Sequence, residues 1–148
     1  MTEDLRDTLQ GLLDTTDKNK KDYGKKAFYE LIQSLKFEGY RIDTINAFTT
    51  DLIKLLVSAD RACHGREHEF CMSTTLLKMS ERDFYSVTNG GSNPMFKYNL
   101  YQFISTLDKD SFVRIVRFAS ALFAYDDIIT TEELLVLDEL LRIGERGD

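Results

Sequence analysis

The sequence is poor in the residues that cross-link, ligate or break a chain. It has two cysteines, two histidines and one proline among 148 residues. Cys63 and Cys71 are too few for a disulfide framework and fit a reducing compartment. No apolar run approaches the roughly 20 residues that cross a bilayer, so no membrane insertion is expected. The opening Met1-Thr-Glu-Asp-Leu-Arg6 is acidic and has no apolar stretch, so no secretory signal is expected and a cytoplasmic location follows by default. Alternating apolar and polar residues, the mark of a half-buried strand, are also missing. Nor does any nucleophile stand beside a base or a phosphate-binding loop, which argues against an enzyme.

Charge of one sign is scarce where a nucleic-acid module would need it. The net charge is −6, and residues 107–148 carry ten acids against five Lys/Arg. That acidic third argues against nucleic acid, which requires a clustered basic face. The one basic cluster, Lys18, Lys20, Lys21, Lys25 and Lys26, reads as a solvated helix start, or more sharply as a face for an acidic partner.

What remains is helical periodicity in a chain that is 43% hydrophobic and 30% charged, long enough for one domain with its own core. Thr2 can cap a first helix that places Leu5, Leu9, Leu12 and Leu13 on one face. The polar run from Asp14 to Lys21 interrupts it. A second helix over about 23–37 turns Ala27, Phe28, Leu31, Ile32 and Leu35 inward, and Gly39 ends it. Asp43 caps a third helix towards Ala59, with Ile45, Phe48, Leu52, Leu55 and Leu56 as its stripe. A fourth carries Phe70, Cys71, Leu76, Leu77 and Met79. Residues 86–93 read as a loop around the Gly-Gly pair, and Asn93-Pro94 starts a helix to about Leu107. There Phe96, Leu100, Phe103, Ile104 and Leu107 are apolar, while Tyr98 and Tyr101 fall off the stripe and are the better candidates for an exposed patch. Phe96, Tyr98, Tyr101 and Phe103 read as core, with a small-molecule pocket as the alternative. Asp108 or Asp110 opens the next helix, which ends near Tyr125, and Gly144 closes the last. The expectation is an all-α single domain of about seven helices.

The chain contains one arrangement twice. Val57-Ser-Ala-Asp60 through Glu67 to Phe70 lines up with Phe123-Ala-Tyr-Asp126 through Glu133 to Val136, 66 residues on, each with a Glu seven positions after an Asp. Thr130-Thr131-Glu132-Glu133 has the form of a capping box, and Glu67 is expected to serve likewise. Asp60 and Asp126 sit at helix C-termini, where a carboxylate costs about 0.3–1 kcal/mol against the dipole. Either the turn's backbone N–H groups compensate them, or a divalent cation does. For a Ca²⁺-like ion the candidate ligands are Asp126, Asp127, Glu132 and Glu133, with Asp60 and Glu67 in the first copy. An EF-hand is excluded, because a loop starting at Asp126 puts Ile128 and Leu137 at ligand positions. Cys63, His64, His68 and Cys71 form a weaker candidate zinc set.

Ala124-Tyr-Asp-Asp-Ile-Ile-Thr-Thr-Glu-Glu133-Leu resembles the motif of TerB-like domains, helical domains named for a bacterial tellurite-resistance protein. Ala124, Asp126, Ile129 and Glu133 match it; Tyr125 and Asp127 stand where Ala and Gly are usual. In the first copy Ala59, Asp60 and Glu67 match, while Arg61 replaces the Gly and Cys63 the aliphatic residue. The resemblance implies two similar helical halves, about 23–85 and 94–144, after an N-terminal helix and polar linker over 1–22. It also implies a non-enzymatic module in tellurite or chemical-stress resistance, with divalent metal at Asp60, Glu67, Asp126 and Glu133. Arg61 and Arg66 would pair with the first copy's acids and repel a cation, so the second turn is the better metal candidate. The alternative is a scaffold that binds a protein partner and uses both turns as helix caps.

Overall fold

The computed structural model describes residues 3–59, 65–88 and 94–146. Among these, the chain forms eight helices and no strand: α1 (Glu3–Leu13), α2 (Asp17–Phe37), α3 (Ile42–Ser58), α4 (Gly65–Thr74), α5 (Glu81–Thr88), α6 (Pro94–Ser105), α7 (Lys109–Ala124) and α8 (Thr131–Arg146). The all-α expectation is met, with one helix more than expected. None of the described helices is long and apolar enough to cross a membrane.

The apolar stripes assemble around α7. Its Phe118, Ala119, Ala121, Leu122, Phe123 and Ala124 are all buried, and the small residues among them let neighbours approach closely. α1, α2, α4 and α8 pack on it, α2 most extensively. Phe28 of α2 and Phe70 of α4 meet Phe118 with ring centroids 5.6 and 5.9 Å away, and Phe70 continues to Tyr125 at 5.2 Å. Burying each such ring contributes about 1.5–3 kcal/mol. The approach of α2 to α4 depends on Gly24, where an added Cβ would lie 2.4 Å from Cζ of Phe70. A second layer of α3, α5 and α6 completes the core, with α6 alongside α8.

Helix ends follow the caps. Thr16 accepts from the Asn19 N–H and starts α2 at Asp17, about six residues earlier than the polar run suggested. Gly39, at φ 96°, follows α2 as expected. Asp43 is not the cap of α3: the N-cap is Arg41, which gives no side-chain hydrogen bond, and Asp43 lies in the first turn. Asp108 caps α7 through the Ser111 N–H at 2.8 Å. α4 stops at Thr74, so Leu76, Leu77 and Met79 are not helical, and Leu76 is exposed. Residues 86–88, expected in a loop, form the last turn of α5. Gly144 does not close α8 but lies inside it, facing the Phe112 ring. Thr2, Asn93 and the rest of 89–93 lie outside the described residues.

The 66-residue correspondence has a counterpart in burial. Glu67 and Glu133 are each the third residue of their helix, and both are buried. Val57 and Phe123, Phe70 and Val136, and Cys71 and Leu137 are likewise buried pair by pair.

Candidate functional site

The turn between α7 and α8 starts from a helix C-terminus, where unpaired carbonyls carry partial negative charge. Two aspartates add to it. The Tyr125 N–H closes the last turn of α7 on Ala121 and Leu122, and the Asp127 N–H reaches the Ala124 carbonyl at 3.0 Å. Asp127 takes φ 66°, a left-handed conformation that Asp tolerates better than most side chains. The chain then extends to Thr130, whose capping box with Glu133 forms as expected. The Thr130 N–H donates to Glu133 Oε1 at 2.9 Å, and the Glu133 N–H donates to Thr130 Oγ1 at 3.2 Å.

The compensating charge comes from elsewhere in the chain. Lys20 of α2, fully buried, places its Nζ 2.5 Å from Asp127 Oδ1. Arg66 of α4 donates from Nε (3.1 Å) and Nη2 (2.5 Å) to the Tyr125 carbonyl. Its Nε lies 3.6 Å from Asp126 Oδ1 and its Nη2 3.0 Å from Asp17 Oδ1. The guanidinium also stands over the Tyr125 ring, with Cζ 4.4 Å from the centroid. Lys21 pairs with Glu69 at 2.9 Å beside the same ring. Hydrogen bonding to Lys20 holds the Asp127 carboxyl below its usual range, and Lys21 does the same for Glu69. Burial pushes the Tyr125 phenol up.

Three cations, Lys20, Lys21 and Arg66, therefore meet four acids, Asp17, Glu69, Asp126 and Asp127, around one buried tyrosine. This corrects one expectation and extends another. The basic cluster is not simply a solvated helix start, because Lys20 lies in the interior. Arg66, expected to serve the acids of its own copy, reaches the second turn as well, while Asp60 lies outside the described residues.

Of the candidate metal ligands, Asp126 is mostly buried beside Arg66, Asp127 is 65% exposed against Lys20, and Glu132 is exposed. Glu133 turns back onto Thr130, Glu67 is buried in the first turn of α4, and Asp60 lies outside the described residues. Among the described residues, no three of His, Cys, Asp and Glu come together so as to hold a metal ion.

Of the zinc set, Cys63 and His64 lie outside the described residues. His68 Nε2 is 2.8 Å from the Met79 carbonyl, and its ring packs on Phe84. Cys71 is buried in the core, and burial pushes its thiol far up, which disfavours the thiolate a metal needs.

The α6 aromatics separate by role. Phe103 packs on Phe48 and Tyr40, Phe96 carries the Lys54 ammonium 4.9 Å from its centroid, and Tyr98 is exposed. Tyr101 is not part of an exposed patch: it is half-buried, and its hydroxyl donates to Glu139 Oε2 at 2.5 Å. Only Phe103 of the four lines an open groove of about 430 Å³ between α3 and α6.

No protein-family model, curated protein or solved structure matches this chain.

Proposed function

We infer that the chain is a non-enzymatic helical domain that binds a protein partner, and that its acidic turn is a structural latch rather than a metal centre. One observation carries this reading: the charges of Asp126 and Asp127 are met by Arg66 and Lys20, two cations from the chain itself. Those two side chains take the place that a divalent ion would fill, and Glu133 serves as the N3 residue of a capping box. The latch ties α2 and α4 to the α7–α8 turn and leaves the surface for recognition.

The TerB-like resemblance supports a competing reading, a chemical-stress module holding a divalent cation at Asp60, Glu67, Asp126 and Glu133, with the second turn the better candidate and Asp127 and Glu132 as further oxygen donors there. The two readings part in calorimetric titration of chelator-stripped protein with Ca²⁺, Mg²⁺, Mn²⁺ and Zn²⁺. The latch predicts no saturable heat and no change in thermal midpoint with any ion. Saturable binding that disappears in an Asp126→Asn/Glu133→Gln variant would overturn it in favour of the cation.

A further inference from the structure

The groove between α3 and α6 has a floor of Ala47, Phe48, Leu100 and Phe103, with Asp43 and Asp51 beside it on α3. The two helices run in opposite directions there, since Phe48 meets Phe103 while Lys54 meets Phe96. Asp43 and Asp51 are eight residues apart, about 12 Å along the helix. Among the described residues, neither makes a hydrogen bond or an ion pair. Burial pushes the Asp51 carboxyl up, with Lys54 pulling partly against it, so Asp51 is a half-desolvated carboxylate at an apolar wall. Lys54 itself is drawn off over the Phe96 ring.

We propose that this groove takes an amphipathic helical segment of a protein partner, with apolar anchors at i, i+4 and i+7 on the floor and Lys or Arg beside Asp43 and Asp51. The assignment rests on the interaction-domain reading and names the partner's chemistry. Three anchors at that spacing span about 10.5 Å, close to the rise of about 12 Å between Asp43 and Asp51 along α3. Apolar contact with the accessible Ala47 and Phe103 contributes to binding, while Phe48 and Leu100 back the floor from the core, and the two acids choose the sign of the partner and speed its approach. The chain's net charge of −6 acts in the same direction. A small organic cation fits less well, because the groove is open to solvent and small-molecule sites enclose most of their ligand.

The test is fluorescence anisotropy of the full chain with a labelled synthetic helix bearing Leu at i, i+4 and i+7 and Lys on the flanking positions. A second peptide replaces Lys by Glu, a third scrambles the Leu order, and spermine is the small-cation probe. The expected result is saturable binding of the first peptide, weakened about tenfold or more in each control peptide. An Asp43→Asn/Asp51→Asn variant should weaken it about tenfold and flatten its salt dependence, and Ala47→Arg should abolish it. Ala47 is exposed, so an unchanged thermal midpoint checks that this variant stays folded. No saturable binding, equal binding of the scrambled peptide, binding indifferent to Ala47→Arg, or displacement by micromolar spermine would each overturn the proposal. None of these variants touches the acidic turn. Failure here with heat-silent metal titrations removes only the groove assignment, whereas metal binding at the turn removes the latch reading whatever the peptide does.

Discussion

Lys20 and Asp127 are 107 residues apart in sequence and 2.5 Å apart in space, and they differ sharply in exposure. The lysine is fully buried, while 65% of the aspartate side chain faces solvent. Removing one partner therefore differs from removing the other. Asp127→Asn leaves a buried ammonium without its counter-charge, the costly outcome. Lys20→Met leaves an exposed carboxylate that water can solvate, and Met fills the space of the lysine stem. Chemical denaturation should show Asp127→Asn clearly less stable than Lys20→Met. Equal losses would mean that the pair is no more than a surface contact.

Stability should fall in acid, with Asp127 contributing. Asp127, Glu69 and Asp108 have folded-state pKa values below the ordinary range, held there by Lys20, by Lys21 and by the Ser111 N–H respectively. A group depressed on folding stabilises above its unfolded pKa of about 4. That contribution is lost as pH falls through the lower folded value. Glu38 runs the other way: burial and its contact with Asp108 raise it, so its contribution is lost as pH rises. The net expectation is a urea midpoint that drops between about pH 5 and pH 3. The drop should be shallower in Lys20→Met, which removes the main interaction that holds the Asp127 carboxyl down.

The α8 cap should be separable from any ligand role. Thr130→Ala removes the acceptor for the Glu133 N–H and should cost about 1 kcal/mol. Glu133→Gln keeps an oxygen that can accept from the Thr130 N–H and should cost less. Thermal unfolding without added metal, and again with millimolar Ca²⁺, should rank the two variants in the same order.

Two helical glycines should respond differently to alanine. At Gly24 the new Cβ meets Phe70, which is fully buried. Overpacking of about 1–3 kcal/mol then exceeds the gain of about 1 kcal/mol in helix propensity. At Gly144 the obstacle is Phe112, a half-buried ring that borders a cavity of about 300 Å³ into which it can shift. Denaturant midpoints should show Gly24→Ala as the more damaging change, with Gly144→Ala within about 1 kcal/mol of the parent.

The stripes were legible because burial on a helix is a local, periodic property. Every residue expected to face inward from α2 and α3, from Ala27 to Leu56, is buried. The Thr130–Glu133 box was legible for a similar reason: its partners are three residues apart. Lys20 was not, because a lysine within a polar run looks solvated. The usable signal was its spacing, since it precedes Gly24, Ala27, Phe28, Leu31 and Leu35 on one stripe. A charge on an apolar face calls for a partner, but nothing nearby in sequence identified Asp127. The reach of Arg66 to Tyr125 and Asp126 was hidden for the same reason, since it depends on the packing of α4 on α2 and α7 and not on spacing along the chain. Helix α5 was hidden by its shortness and by the Gly-Gly pair just beyond it.

A protein synthesised from its N-terminus makes Lys20 long before Asp127. Until the α7–α8 turn has emerged, α2 carries a cation that its own neighbours cannot neutralise, and Arg66 lacks the carbonyl it clamps. The early helices can coil, yet their settled packing awaits nearly the whole chain. A product ending before Asp127 would thus keep the Lys20 ammonium without the carboxylate that meets it in the full chain.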